Sequence, residues 1–126
     1  MEARDRPVRV LLANKPRALR TRLARLLRLQ SDIEVAGTVL DPIDLLSAVG
    51  ETQAAVVVVN LPASGEMPGI CSHLFYEYPQ LLILALSATQ SRAYVYHHVI
   101  TVEALASPSD EDILTAVRQA KADRLS

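Results

Sequence analysis

The sequence has no tryptophan, one phenylalanine and four tyrosines in 126 residues. Aromatics at 4% are too few for a stacking platform along single-stranded nucleic acid. A single cysteine, Cys71, excludes an internal disulfide and points to a reducing cytosol. Glycine is scarce (four) and proline modest (seven), and with a mean hydropathy of +0.19 this argues against disorder. No apolar run approaches the roughly 20 residues of a membrane helix. The charged start, Met1–Pro7, has no apolar stretch behind it of the kind a secretory signal carries. What is present is 13.8 kDa of chain, half hydrophobic and 21% charged, with net charge −1. The expectation is one cytoplasmic domain over residues 1–126, with an ordered core over about 7–122.

The near-neutral total hides an asymmetry: residues 1–30 stand at +7 and the remainder at −8. Along the chain, two kinds of segment alternate. Val8–Ala13, Ile33–Ala36, Ala54–Val59, Leu81–Leu86 and Thr101–Leu105 are short apolar or β-branched runs and read as strands. The third and fourth are apolar without alternation, as central parallel strands covered on both faces are. Between them, Arg17–Leu29 sets Leu19, Leu23, Leu26 and Leu27 on one helical face, with Arg17, Arg20, Arg25 and Arg28 opposite. Asp41–Pro42 is a helix start, with an acceptor at the N-cap and proline at the first helical position. Pro68–Gly69 precedes a helix ending near Tyr78–Pro79, and Ser109–Asp112 caps a last helix with Ile113, Leu114 and Val117 inward. Ser91–His98 is read as a short helix of two turns.

Five strand–helix pairs with right-handed crossovers predict an α/β, three-layer, flavodoxin-like (βα)5 fold. Its five-stranded parallel sheet runs in the order 2-1-3-4-5, with helices on both faces. Function in such sheets sits at the carboxyl ends of the strands. Those ends carry Asn14 and Lys15, then Asn60, then Ser87, then Ala106 and Ser107.

Val8–Lys15, Asp32–Gly37, Val56–Pro62, Leu82–Ala88 and Ser109–Val117 together resemble the receiver domain of bacterial two-component response regulators, in order and over nearly the whole chain. The resemblance implies a phosphoacceptor aspartate at the end of strand 3, an acidic magnesium-binding pair after strand 1, Thr or Ser after strand 4, and lysine after strand 5. Here Asn60 stands for the phosphoacceptor and Asn14 and Lys15 for the acidic pair. Ser87 matches. The lysine position falls on Ala106 or Ser107, and the aromatic of strand 5 has no counterpart, since Ala104 and Leu105 hold that neighbourhood. An amide cannot form the acyl phosphate that a carboxylate forms, and two amides with an ammonium offer magnesium no negative charge. The expectation is therefore a degenerate pseudo-receiver with no catalytic residues, metal or cofactor.

Several side groups are open to two readings. The Lys15 ammonium could take the metal's place against Asn60 and lock one conformation, or point into water. Ser87 is a family relic or a hydroxyl with a new partner. The face of Arg17, Arg20, Arg25 and Arg28 is solvated, or meets an acidic protein, or, last of the three, nucleic acid. Tyr94, Tyr96, His97 and Val99 lie where receivers bind partners, and either contact a partner or pack on the sheet. His73, His97 and His98 lack ligand-spaced companions for zinc, and Cys71 beside His73 reads as a structural cysteine rather than a nucleophile. Leu61–Gly65 looks like a sortase sorting signal but falls in the loop after strand 3. Asn14–Arg17 has no glycine, so a nucleotide-binding loop is not expected.

The expected function is bacterial signal transduction through phosphorylation-independent contact with a regulatory protein partner or a second copy. No DNA-binding output region, membrane contact or enzymatic activity is expected. The alternative is a module that binds nucleic acid or a small anionic ligand, through basic helix 1 or through Lys15 and Ser87.

Overall fold

The computed structural model describes residues 6–97 and 101–125. The described elements are β1 (Val8–Leu12), α1 (Arg17–Arg28), β2 (Ile33–Thr38), α2 (Pro42–Thr52), β3 (Val56–Asn60), α3 (Gly69–Glu77), β4 (Leu82–Leu86), β5 (Arg92–His97), β6 (Thr101–Ala106) and α4 (Asp110–Leu125). The caps follow from local chemistry. The Asp41 carboxylate accepts from the backbone N–H groups of Ile43 (2.8 Å) and Asp44 (3.1 Å), and Pro42 supplies a preset first turn. Ser109 and Asp112 cap α4 reciprocally: Asp112 N–H donates to Ser109 Oγ (3.1 Å) and Ser109 N–H to Asp112 Oδ2 (2.9 Å).

All strands lie in one sheet, in the order β2-β1-β3-β4-β5-β6. Alternation along β3 and β4 splits their side chains between two cores. Val56, Val58, Leu82, Leu84 and Leu86 meet Leu19, Leu23 and Leu27 of α1 and Ile113, Leu114 and Val117 of α4. On the other face, Val57, Val59, Ile83 and Ala85 pack with Leu45 and Val49 of α2 and Cys71, Leu74 and Phe75 of α3. This is the three-layer flavodoxin-like arrangement expected from the alternating pattern.

The sheet departs from expectation in count and direction. The helix expected over Ser91–His98 is not found: residues 92–97 form β5, inserted antiparallel between β4 and the last strand, and His98 lies outside the described residues. The sheet is six-stranded and not all-parallel, although the spatial order of the other five strands stands as expected. The physical reason is in the residues. Tyr94, Val95 and Tyr96 carry the β-branched and aromatic side chains that suit a pleated surface, and residues 93–96 alternate between the two cores. Ala93 and Val95 face the α1–α4 layer, while Tyr94 and Tyr96 face the α2–α3 layer. No helix among the described residues covers β6 on the tyrosine side, where Val102, Ala104 and Ala106 are exposed.

Candidate functional site

An antiparallel β5 returns the chain, so β6 runs parallel to β4 and finishes at the same end of the sheet as β1, β3 and β4, with β5 between it and β4. Asn14, Lys15, Asn60, Ser87, Ala106 and Ser107 thus stand at or just beyond one end of the sheet. They follow β1, β3, β4 and β6, joined by Arg92 at the start of β5.

Asn60 and Lys15 meet directly, through the lysine's main chain. Asn60 Oδ1 accepts the Lys15 N–H (2.8 Å), and Asn60 Nδ2 donates to the Lys15 carbonyl (2.6 Å). The primary amide is suited to this because it both donates and accepts, which a carboxylate cannot do when ionised. The Lys15 side chain is exposed, and its ammonium has no hydrogen bond or ion pair among the described residues. The Lys15–Pro16 peptide is cis.

Asn14 is a buried polar residue at 0% exposure. Its carbonyl oxygen accepts from Arg20 Nη1 (3.0 Å), but neither Oδ1 nor Nδ2 of its side chain has a hydrogen-bond partner among the described residues. Leaving such an amide unpaired costs about 1–3 kcal/mol.

Ser87 belongs to the β4–β5 hairpin. Its Oγ accepts from the backbone N–H groups of Ser91 (2.9 Å) and Arg92 (3.0 Å), and its own N–H donates to Arg92 O (3.0 Å). Gln90 adopts a positive φ of 60° to close the turn. Ser107, at φ 45°, donates its N–H to Ser91 O (2.7 Å), tying the end of β6 to the same turn. Ala106 pairs with Arg92 across the ladder and offers no polar side chain.

Arg92 is a residue that sequence reasoning missed. Its Nη2 donates to Ala63 O (2.9 Å) in the loop after β3, and its guanidinium packs on Gly65, whose φ is +81°. The only signal for it was its place at the head of a β-favouring run.

The other candidates do not join this cluster. Tyr96 is 4% exposed and buried in the α2–α3 core, and Tyr94 is half-buried against it, with ring centroids 6.1 Å apart. Tyr96 is thus packed inside the fold and exposes almost no surface. His97 is half-buried at the end of β5, and Val99 lies outside the described residues. Cys71 is buried, and desolvation pushes its thiol up to about 12, which leaves it un-ionised near neutral pH. Arg17, Arg25 and Arg28 are exposed on α1 and Arg20 is half-buried. Among the described residues no group of three His, Cys, Asp or Glu side chains could hold a metal, and no helix is long and apolar enough to cross a membrane.

No protein-family model matches the chain, and no curated protein matches it in sequence. In structure it is similar to the response regulator domain of Thermotoga maritima CheB, with a TM-score of 0.64 and 18% identity over 93% of this chain and 98% of that one. A formyltetrahydrofolate deformylase from Pseudomonas putida KT2440 overlaps at TM-score 0.43 and 14% identity, over 96% of this chain and 63% of that one. At 18% identity the first likeness is one of fold: the chain has the receiver-domain fold, with β5 in place of one crossover helix.

Proposed function

We propose that this chain is a receiver-like signalling domain that does not accept a phosphoryl group and acts by binding a protein partner in the bacterial cytoplasm. The observation that carries the reading is the Asn60 amide, closed on both polar groups of the Lys15 main chain. It occupies the end of the third strand, where the resemblance to receivers places a reactive aspartate. An amide nitrogen has no lone pair free for attack on phosphorus, and Asn60 Nδ2 is already donating.

The residues at this site do not fit the magnesium ion that receivers use. Magnesium takes anionic oxygens in near-octahedral geometry. Asn60 Oδ1 is committed to a backbone N–H, Asn14 offers one neutral oxygen, and Lys15 adds a positive charge. Ser87, which would grip a phosphoryl oxygen in a receiver, spends its hydroxyl on two N–H groups of its own hairpin. With no carboxylate among these residues, the site has no general base, and recognition is the role left to the domain.

Incubation with a small-molecule phosphodonor and magnesium, followed by intact mass, tests the reading. Unchanged mass is the expected result. Gain of one labile phosphoryl group would overturn it.

A further inference from the structure

α1 carries five arginines, Arg17, Arg20, Arg22, Arg25 and Arg28, and no acidic residue. Arg17, Arg20, Arg25 and Arg28 lie along one side of the helix at its 3.6-residue period. With Thr21, Ala24, Leu29 and Thr38 they line a groove of about 510 Å3 between α1 and the edge strand β2. Two acids at β2 are already engaged: Glu34 pairs with Arg9 (3.5 Å), and Asp32 takes a two-point contact from Arg118 (2.7 and 3.1 Å). Arg20 is steadied by the Asn14 carbonyl, whereas Arg17, Arg25 and Arg28 have no ion pair or hydrogen bond among the described residues.

Clustered like charges on one helix oppose its stability by a few tenths of a kcal/mol per pair, so beyond the dipole-favoured place of Arg25 and Arg28 in the last turn the fold gains little from the stripe. All five cations are arginine, whose planar fork matches a carboxylate with two parallel hydrogen bonds. The groove has no aromatic side chain on which bases would stack. It opens instead onto Leu29, an apolar side chain 77% exposed.

We propose that the groove between α1 and β2 is the docking site for an acidic segment of a protein partner. Carboxylates of the segment engage Arg17, Arg20, Arg25 and Arg28, and an apolar residue covers Leu29. From Arg17 to Arg28 the helix rises about 16 Å, a length that an extended segment spans in about five residues. The proposal rests on the protein-binding reading above and supplies its surface and the chemistry of its partner.

The test is fluorescence anisotropy of the whole chain with a labelled peptide in which glutamate alternates with serine and which ends in leucine. A lysine-for-glutamate peptide, a single-stranded DNA oligonucleotide and a duplex serve as comparisons. Saturable binding that weakens severalfold from low to physiological salt is expected. R25E/R28E should lower affinity at least about tenfold, since attraction becomes repulsion at two positions. Its thermal midpoint should fall by no more than a few degrees, since neither side chain holds a contact and only their place in the last helical turn favours a cation, and R25Q/R28Q repeats the test without setting acids at that helix end. Absence of saturable binding, equal binding by both variants, or tighter binding of either oligonucleotide would overturn the proposal. A failure here is separable from failure of the phosphotransfer reading, which the mass measurement decides without any peptide.

Discussion

Strands β1 to β4 and the hairpin β5–β6 reach the same end of one sheet by different routes. In the first group, β1, β2 and β3 are each followed by a helix that packs on one face and brings the chain back to a parallel strand. In the second, an antiparallel strand makes the return. A return path must cover the length of β4, about 17 Å for five residues in extended form. Eight residues wound as a helix rise only about 12 Å, whereas the six of β5 cover about 20 Å. A short connection therefore closes more readily as a strand than as a helix. The exchange leaves β6 pointing the way β4 points, so the strand ends still gather. It also removes a helix from one face and sets Tyr96 inside the α2–α3 core, with Tyr94 half-buried against it.

The sharpest way to break this comparison is Tyr96→Ala. If Tyr96 stood on a trimmed surface helix, its truncation would change stability by less than about 0.5 kcal/mol. Packed under α3 within the sheet, it should cost about 3 kcal/mol, read as a lowered urea midpoint with the slope preserved. A variant as stable as the wild type would place β5 wrongly.

Asn60→Asp probes the parallel half at its functional end and should cost about 2 kcal/mol at neutral pH. The carboxylate keeps the bond to the Lys15 N–H but sets a lone pair against the Lys15 carbonyl. Protonation restores a donor, so the folded state of the variant favours the neutral acid and its carboxyl titrates above the unfolded value of about 3.9. The sign follows: stability relative to wild type is regained as pH falls through that raised value and lost as pH rises through it. A deficit that is flat with pH, or no deficit, would mean that the amide is not holding the Lys15 backbone.

What could be read from the sequence divides along the same line as the two halves of the sheet. The uninterrupted runs Val56–Val59 and Leu82–Leu86 announce buried central strands, and the leucine spacing of α1 and the capping residues Asp41 and Ser109 announce helices, because each signal is local. Arg92–His97 carries a strand signal just as local, but the expectation of strand–helix alternation overrode it. At the site, the residue types at 14, 15 and 60 were legible as a loss of carboxylates. That the partner of Asn60 is the lysine's backbone rather than its ammonium was not, because main-chain hydrogen bonds leave no mark on composition. Nor was the groove beside β2, since the pairing of Arg118 with Asp32 links residues far apart in sequence.

Asn14 and Asn60 sharpen the comparison inside the parallel half itself. Both are amides at strand ends, yet one has every polar atom of its side chain engaged and the other none among the described residues. Asn14→Leu should raise stability by about 1 kcal/mol, because an apolar side chain of similar size removes the cost of a dry, unpaired amide. A fall in the urea midpoint would show that the amide is bonded in solution.

The smallest effect is expected where the two halves join. Ser87 Oγ takes two N–H groups of the β4–β5 turn, a role like that of a helix N-cap, whose removal costs about 0.5–2 kcal/mol. The turn is partly open to water, which can replace the hydroxyl, so Ser87→Ala should fall at the low end, near 0.5 kcal/mol. Hydrogen exchange gives the finer reading: the amides of Ser91 and Arg92 should exchange faster in the variant while those of Leu84 and Ala85 in β4 stay protected. A hydroxyl held in reserve for a ligand would leave the exchange of both turn amides unchanged, and that outcome would return Ser87 to the list of residues poised for binding.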